Sequence, residues 1–360
     1  MDARWNVEAE DLIGRANALL AERRVAEALD LHERALALGL DPVANGGERW
    51  KAAMLLGDFE RAWRVSDLVL HRTPPEAFNR RDRPFHLRPV WSGAPFEGRR
   101  VLVRCYHGLG DIVHFARYLP LLARRTRGLT VQAPEAVHGL LSPVPGVEAL
   151  LPLADGLDEP AWEVDLELME LPHALRTRLD TIPTEVPYLT VDAARVAAQV
   201  ARITRRGRVA VGIAWAAGAW DGGHRSLPPD LLDRLLAVPA VDWVCLQRGP
   251  ALADAASRPF RDQGPRTDDL LDTAAMIRAV DLVLSVDTVV PHLAGALGRP
   301  VWTLLPFEAD WRWMVGRDDS PWYPTMRLFR QPRPGDWETP VAAVADALAA
   351  LCGAEGRTAR

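Results

Sequence analysis

Five short stretches of this chain combine polar residues with glycine or proline in ways that suit group transfer. The first, Cys105-Tyr106-His107-Gly108-Leu109-Gly110-Asp111-Ile112-Val113-His114, sets a carboxylate directly behind a glycine pair. Gly108 and Gly110 permit a tight turn and close approach of a substrate. Asp111 is then placed either to cap the next helix or to take a proton from a reacting hydroxyl, and the spacing alone does not choose. The second, Ser285-Val286-Asp287-Thr288-Val289-Val290-Pro291-His292, ends a buried strand and starts a helix. Free N–H groups at Thr288, Val289 and Val290, at the positive end of the helix dipole, suit a phosphate. His292, one turn in, could donate to a diphosphate or a ribose. The competing reading makes Asp287 or Thr288 a cap and His292 a core histidine.

The third stretch, Ala216-Ala217-Gly218-Ala219-Trp220-Asp221-Gly222-Gly223-His224-Arg225-Ser226-Leu227-Pro228, is a glycine-rich loop holding a guanidinium. Arginine's planar fork matches phosphate oxygens in pairs; a solvated surface arginine is the plain alternative. The fourth places Gln247 and Arg248 at a strand end, and the fifth, Thr267 through Ile277, runs a loop into a helix carrying Asp272 and Met276. Each alone is an ordinary turn. Four polar groups at successive strand ends of one sheet would converge on one crevice.

The elements that must position these groups follow from periodicity. Residues 8–72 have a helical pattern with an internal repeat: Arg24–Leu29 matches Asp58–Trp63, with Ala28 and Ala62 equivalent. Leu20 with Met54, Val25 with Phe59, Leu31 with Val65 and Leu36 with Leu70 extend the match at the same offset, the tetratricopeptide (TPR) period. Two such units are fewer than a free-standing solenoid needs, so the module should lean on the next domain. From Arg99 onward, apolar strands alternate with helices in two successive runs, 101–189 and 208–305. That pattern predicts two parallel sheets covered on both faces, hence two Rossmann-like lobes facing a cleft. The expected division is 1–75 TPR-like helical module, 76–98 connector, 99–195 N-terminal lobe, 196–335 C-terminal lobe, and 336–360 C-terminal helix and tail.

Composition narrows the partners. The net charge of −5 is spread along the chain without a basic block, which gives no footing for nucleic acid. Cys105, Cys245 and Cys352 form no CxxC pair, so neither a disulfide framework nor a zinc site is indicated. No signal-peptide layout opens the chain, no apolar run approaches membrane-spanning length, and the expected compartment is the cytoplasm.

Taken together the motifs resemble glycosyltransferase family 9, the ADP-heptose:lipopolysaccharide heptosyltransferases and their relatives, over roughly residues 99–350. Asp287-Thr288 through His292-Leu293-Ala294-Gly295-Ala296-Leu297-Gly298-Arg299-Pro300 resembles the family's D-[ST]-x-x-x-H-[LI]-A-x-A-[LM]-G-x-P pattern, Gly108–Asp111 its G-x-[GS]-D loop, and Arg225–Pro228 its basic-residue-then-Pro segment. The whole chain also resembles bacterial tetratricopeptide-containing proteins with a glycosyltransferase-like C-terminal region, in which Asp310-Trp311-Arg312-Trp313 recurs.

The resemblance implies an inverting, metal-independent GT-B glycosyltransferase without a cofactor. Asp111 would be the base, assisted by Arg225. Arg225, Thr288, Val289, Val290 and His292 would hold the donor diphosphate. Asp287, Gly108 and Gly110 would lie at the transferred sugar, and Gln247, Asp272 and Met276 at the nucleoside. His107, His114 and Trp311 would face the acceptor. It also implies that the C-terminal helix crosses back to brace the first lobe. Arg225 stands where the heptosyltransferases commonly have lysine, so the charge survives but the pKa behaviour does not. The helical repeats, absent from the lipopolysaccharide enzymes, shift the expected acceptor from a glycan toward a protein or peptide. The donor is ADP-heptose or a UDP-, GDP- or dTDP-sugar. Two other readings stay open at this point: an inactive scaffold that binds a partner through its repeats, and a nucleotide-sugar epimerase.

Overall fold

The computed structural model describes residues 3–156, 161–203, 209–218, 223–260 and 269–358. Residues 219–222 of the glycine-rich loop, Thr267 and Asp268 of the fifth stretch, and Arg208 lie outside the described residues.

Four helices open the chain: Ala3–Ala21, Val25–Ala37, Gly46–Leu56 and Phe59–Arg72. Gly57, at φ 75°, ends the third in the left-handed conformation that glycine adopts without steric cost, and its N–H reaches back to the Ala53 and Met54 carbonyls. Asp58 then caps the fourth by accepting from the Arg61 N–H. The second and fourth helices start 34 positions apart, at Val25 and Phe59. Their equivalent alanines, Ala28 and Ala62, are both sealed, and the matched pairs Leu20/Met54, Val25/Phe59, Leu29/Trp63 and Leu31/Val65 are all buried. Leu36 and Leu70, the remaining matched pair, are only partly buried.

A first sheet follows, with strands β1 (Arg100–Arg104), β2 (Gly128–Ala133), β3 (Ala149–Pro152) and β4 (Val164–Glu167) in the order β3-β2-β1-β4, all parallel. The second holds β5 (Val209–Ala214), β6 (Val241–Cys245), β7 (Leu282–Val286), β8 (Val301–Leu305) and β9 (Met326–Arg330) in the order β6-β5-β7-β8-β9, also parallel. β5, β6 and β7 are buried at every position, which is why they read as continuous apolar runs. β3 and β9 are outer strands that the periodicity did not predict. β3 is half-buried throughout and ends in proline, and β9 turns Arg327 outward, so neither carries the signature of an inner strand. The helical stretch after β1 is broken: Leu109–Phe115, one tight turn at Ala116–Tyr118, then Leu119–Ala123 with Pro120 in its first turn.

In the first sheet the chain order reverses at β1, flanked by β2 and β4; in the second it reverses between β5 and β7. Crevices of open parallel sheets form outside the strand ends at such reversals. Those ends lead into Cys105–Asp111, Trp215–Arg225 and Asp287–Thr288.

One core is continuous from helices Gly46–Leu56 and Phe59–Arg72 through the first sheet to one face of the second. A second core fills the other face of the second sheet. That core overturns the expected path of the C-terminal helix. Helix Glu338–Thr358 braces the second lobe: Val341, Val344 and Leu348 form an i, i+3, i+7 stripe, packed with Leu231, Leu232 and Leu235 of helix Pro229–Leu236 and with Phe329 of β9. An Arg234–Glu338 ion pair ties the two helices.

The lobes touch through two helix pairs, Leu109–Phe115 against Val289–Ala296 and His138–Leu141 against Leu270–Ala279. Each crossing has a glycine from the first lobe. A Cβ on Gly110 would lie 3.2 Å from His292 Cδ2 and 3.6 Å from Val289 Cα, and one on Gly139 would collide with Leu271. The helical module grips both lobes. Trp63 Nε1 donates to the Thr177 carbonyl at 2.6 Å and Asp67 pairs with His173 and Arg176 on the first. On the second, Trp50 meets Trp311 edge-on at 5.3 Å and Arg23 Nε donates to the Phe307 carbonyl at 2.8 Å. Among the described residues no helix is long and apolar enough to cross a membrane.

Candidate active site

β1 delivers Asp111 to the lobe junction. Its Oδ2 accepts the Gly108 N–H at 3.0 Å, closing the turn that starts helix Leu109–Phe115, so the capping role and exposure toward the other lobe coexist. Its Oδ1 accepts from Arg312 Nη2 at 2.6 Å. Arg312 belongs to the second lobe, on the turn Trp311–Trp313 beyond β8, and Nη1 of the same guanidinium holds Asp310 at 2.8 Å. The cation lies over the Trp311 and Phe115 rings, 4.6 and 5.1 Å from their centroids. A buried arginine flanked by two carboxylates and two aromatic faces has little freedom to leave. No spacing rule singles out Arg312; the one available signal was the Asp310-Trp311-Arg312-Trp313 segment.

β7 delivers Asp287 and Thr288. Thr288 caps helix Val289–Ala296, its Oγ1 accepting the Val290 N–H at 3.2 Å, as the plain reading anticipated. Pro291 has no N–H to satisfy, and the Val289 N–H at the helix start has no intrahelical acceptor. Asp287 is nearly sealed and its pKa is pushed up to about 6, first by burial and then by the charge of Asp310, against the pull of Arg225. Arg225 reaches it from the β5 loop: Nη1 donates to the Asp287 carbonyl at 3.1 Å and stands 3.8 Å from Oδ2. The Arg225 side chain keeps a fifth of its surface accessible. It is tethered but still open to solvent.

His292 lies beneath these groups, buried and stacked on Trp313 at 5.1 Å, with Nε2 3.9 Å from Asp287 Oδ1. Its Nδ1 meets the Tyr323 hydroxyl at 3.0 Å. His114, expected on the acceptor side, is completely buried and meets the same hydroxyl through Nδ1 at 2.9 Å. Helix Leu109–Phe115 turns His114 inward, so it serves the lobe seam and faces no acceptor. Burial holds both imidazoles well below the usual histidine range, and Arg117 and Arg312 push the same way.

Two nucleoside expectations are corrected. Met276 is fully buried in the shared core, on the inward face of helix Leu270–Ala279. Gln247 is spent on backbone: its Oε1 accepts the Trp215 and Ala216 N–H groups at 2.9 Å, and its Nε2 donates to the Ala216 and Arg248 carbonyls at 3.0 and 2.8 Å. With four bonds made, it shapes the root of the β5 loop and has nothing left for a base. Asp272 remains partly accessible, 3.4 Å from Arg195 of helix Ala193–Arg202. On the first lobe, His107 is half-buried beside Asp111, and desolvation lowers its pKa although Asp111 opposes the shift. Gly108 is exposed at the same turn. Trp311, expected on the acceptor side, is partly covered by Trp50 of the helical module.

The site therefore gathers Asp111, Gly108, Gly110 and His107 from one lobe with Asp287, Thr288, Val289, Arg225 and Arg312 from the other. No protein-family profile matches the chain. Protein FlbA of Caulobacter vibrioides is 28% identical over 288 residues, 72% of this chain and 48% of that protein, so the chain spans about half the length of this relative. Among solved structures, a glycosyl transferase family 9 protein from Veillonella parvula superposes with a TM-score of 0.53 at 10% identity, covering 71% of this chain and 99% of that one. Escherichia coli ADP-heptose lps heptosyltransferase II superposes with a TM-score of 0.50 at 17% identity, with the same coverage. Across 71% of its length the chain carries the α/β fold of the glycosyltransferase family 9 proteins.

Proposed function

We propose that this chain is an inverting, metal-independent glycosyltransferase of the GT-B type. It transfers a sugar from a nucleotide-diphosphate donor to an acceptor hydroxyl. The observation that carries the reading is the meeting of Asp111 with the Thr288–His292 helix start, brought together by Gly110 packing on Val289 and His292. Asp111, the neighbour of Gly110, is thereby set at the lobe contact that also holds the helix start of the opposite lobe.

In this reading Asp111 takes the acceptor proton as the hydroxyl oxygen attacks the anomeric carbon and the bond to the diphosphate breaks. Oδ1 and Oδ2 each keep a lone pair beyond their bonds to Arg312 and Gly108. The nucleoside diphosphate leaves with its charge met by Arg225 and the Val289 N–H, which supply positive potential without a metal ion. Heptose is the donor sugar suggested by the heptosyltransferase neighbour. A protein or peptide acceptor fits the two-repeat module, which closes over Trp311 at the acceptor edge. A thermal-shift panel of nucleotide diphosphates is the first test. Binding raises the melting temperature by mass action, and no stabilisation by any member would end the reading.

A further inference from the structure

The Tyr323 hydroxyl stands between two imidazoles, 2.9 Å from His114 Nδ1 and 3.0 Å from His292 Nδ1. All three side chains are buried. Tyr188 and Arg117 also act on this hydroxyl, but the Tyr188 hydroxyl already donates to the Val113 carbonyl and accepts from Arg117. The one proton of Tyr323 therefore goes to one ring, its oxygen accepts from the other, and the two neutral rings are opposite tautomers. Which way the chain runs follows from the far nitrogens. His114 Nε2 is buried without a partner. An orphaned N–H is costlier and rarer than an orphaned acceptor, so His114 carries its proton on Nδ1 and donates to Tyr323. Tyr323 then donates to His292 Nδ1, which leaves the His292 proton on Nε2, aimed at Asp287 Oδ1 across 3.9 Å. The opposite arrangement would strand an N–H on His114 and turn a lone pair toward a carboxylate.

We propose that Tyr323 is a positioning residue for the donor side: its hydroxyl fixes His292 as the Nε2–H tautomer and so keeps Asp287 turned to Arg225. The donor-side role rests on the transferase reading above. The surroundings agree. Arg117 and Arg312 flank both rings and Arg225 also acts on His292, disfavouring a further positive charge there. Arg117 lies over the Tyr323 ring at 4.5 Å, with its own N–H groups given to the His114, Pro183 and Trp322 carbonyls and the Tyr188 hydroxyl. Gly295 is what admits the tyrosine, since a Cβ there would collide with the ring. The relay crosses from first-lobe His114 to second-lobe Asp287, so donor-site geometry is sensitive to how the lobes are docked.

Long-range 1H–15N spectra of the full-length chain separate the neutral tautomers of its nine histidines, with H114Q and H292Q used for assignment. The expected result is opposite tautomers, Nδ1–H at His114 and Nε2–H at His292. A proton on His292 Nδ1, or a charged ring at either position, overturns the relay. In Y323F, His292 should become a tautomer mixture, and the Kd for inorganic pyrophosphate should rise roughly ten-fold, the worth of one hydrogen bond beside a charge. Unchanged pyrophosphate affinity in folded Y323F overturns the donor-side role. A wild-type chain with the expected tautomers that binds no pyrophosphate removes the donor-site reading and that role while leaving the relay intact.

Discussion

Asp111 and Arg312, 201 positions apart in sequence, meet at 2.6 Å across the lobe junction. A carboxylate of one lobe is therefore oriented by a cation of the other, and the base of the proposed reaction would be set only in the docked pair. Asp111→Asn keeps a carbonyl oxygen for the Gly108 N–H and loses the base. Turnover should fall by about 10²–10⁴ with nucleotide-diphosphate affinity unchanged, measured by sugar transfer and by calorimetry. Turnover at the wild-type rate would remove Asp111 from its role.

Arg312→Gln leaves Asp111 and Asp310 facing each other without their shared cation. Removing one partner of a largely buried ion cluster should cost about 2–4 kcal/mol in urea unfolding. A loss under half a kilocalorie would mean that solvent already screens the pair.

Arg225→Ala should weaken binding of a nucleoside diphosphate by about ten- to a hundred-fold, the loss of a charged hydrogen bond. Arg225→Lys should recover part of it, because charge returns without the planar fork. Equal affinity in all three proteins would place the diphosphate elsewhere.

Gly110→Ala adds a methyl group 3.2 Å from His292 Cδ2. One packed helix must yield, at about 1–3 kcal/mol. Thermal unfolding should show the loss, with a small increase in the radius of gyration by solution scattering as the lobes separate. Full stability would show that the junction is looser than its packing indicates.

Glu170 accepts the Trp91 and Glu167 N–H groups, and its pKa is pushed up to about 7, chiefly by burial. The native state holds a proton that the unfolded chain releases near 4.5. Its contribution to stability is thus fully present below that pH and is lost as pH rises toward 7. Glu170→Gln should match wild type at pH 4.5 and exceed it at pH 7.5 by about 3 kcal/mol. Denaturant midpoints at both values check this, and a constant difference would exclude Glu170 as the titrating group.

Much of this protein was written in local pattern. Strands β1, β2, β5, β6, β7 and β8 showed as largely apolar runs because both faces of each parallel sheet are covered, and Ala28 and Ala62 of the 34-residue match are both sealed. Local chemistry likewise exposed Asp111, Arg225 and the Asp287–Thr288 helix start, since glycine turns and strand-to-helix junctions have short-range signatures. Tertiary structure alone decided which polar residues are spent inside. Gln247 is used up on backbone bonds that include Trp215 and Ala216, and His114 in the lobe seam on Tyr323, partners far away along the chain, while the apolar Met276 fills the shared core. It alone brought Arg312 to Asp111 and carried the C-terminal helix to the second sheet. Periodicity tells which face of an element is apolar, and only packing chooses the neighbour that covers it.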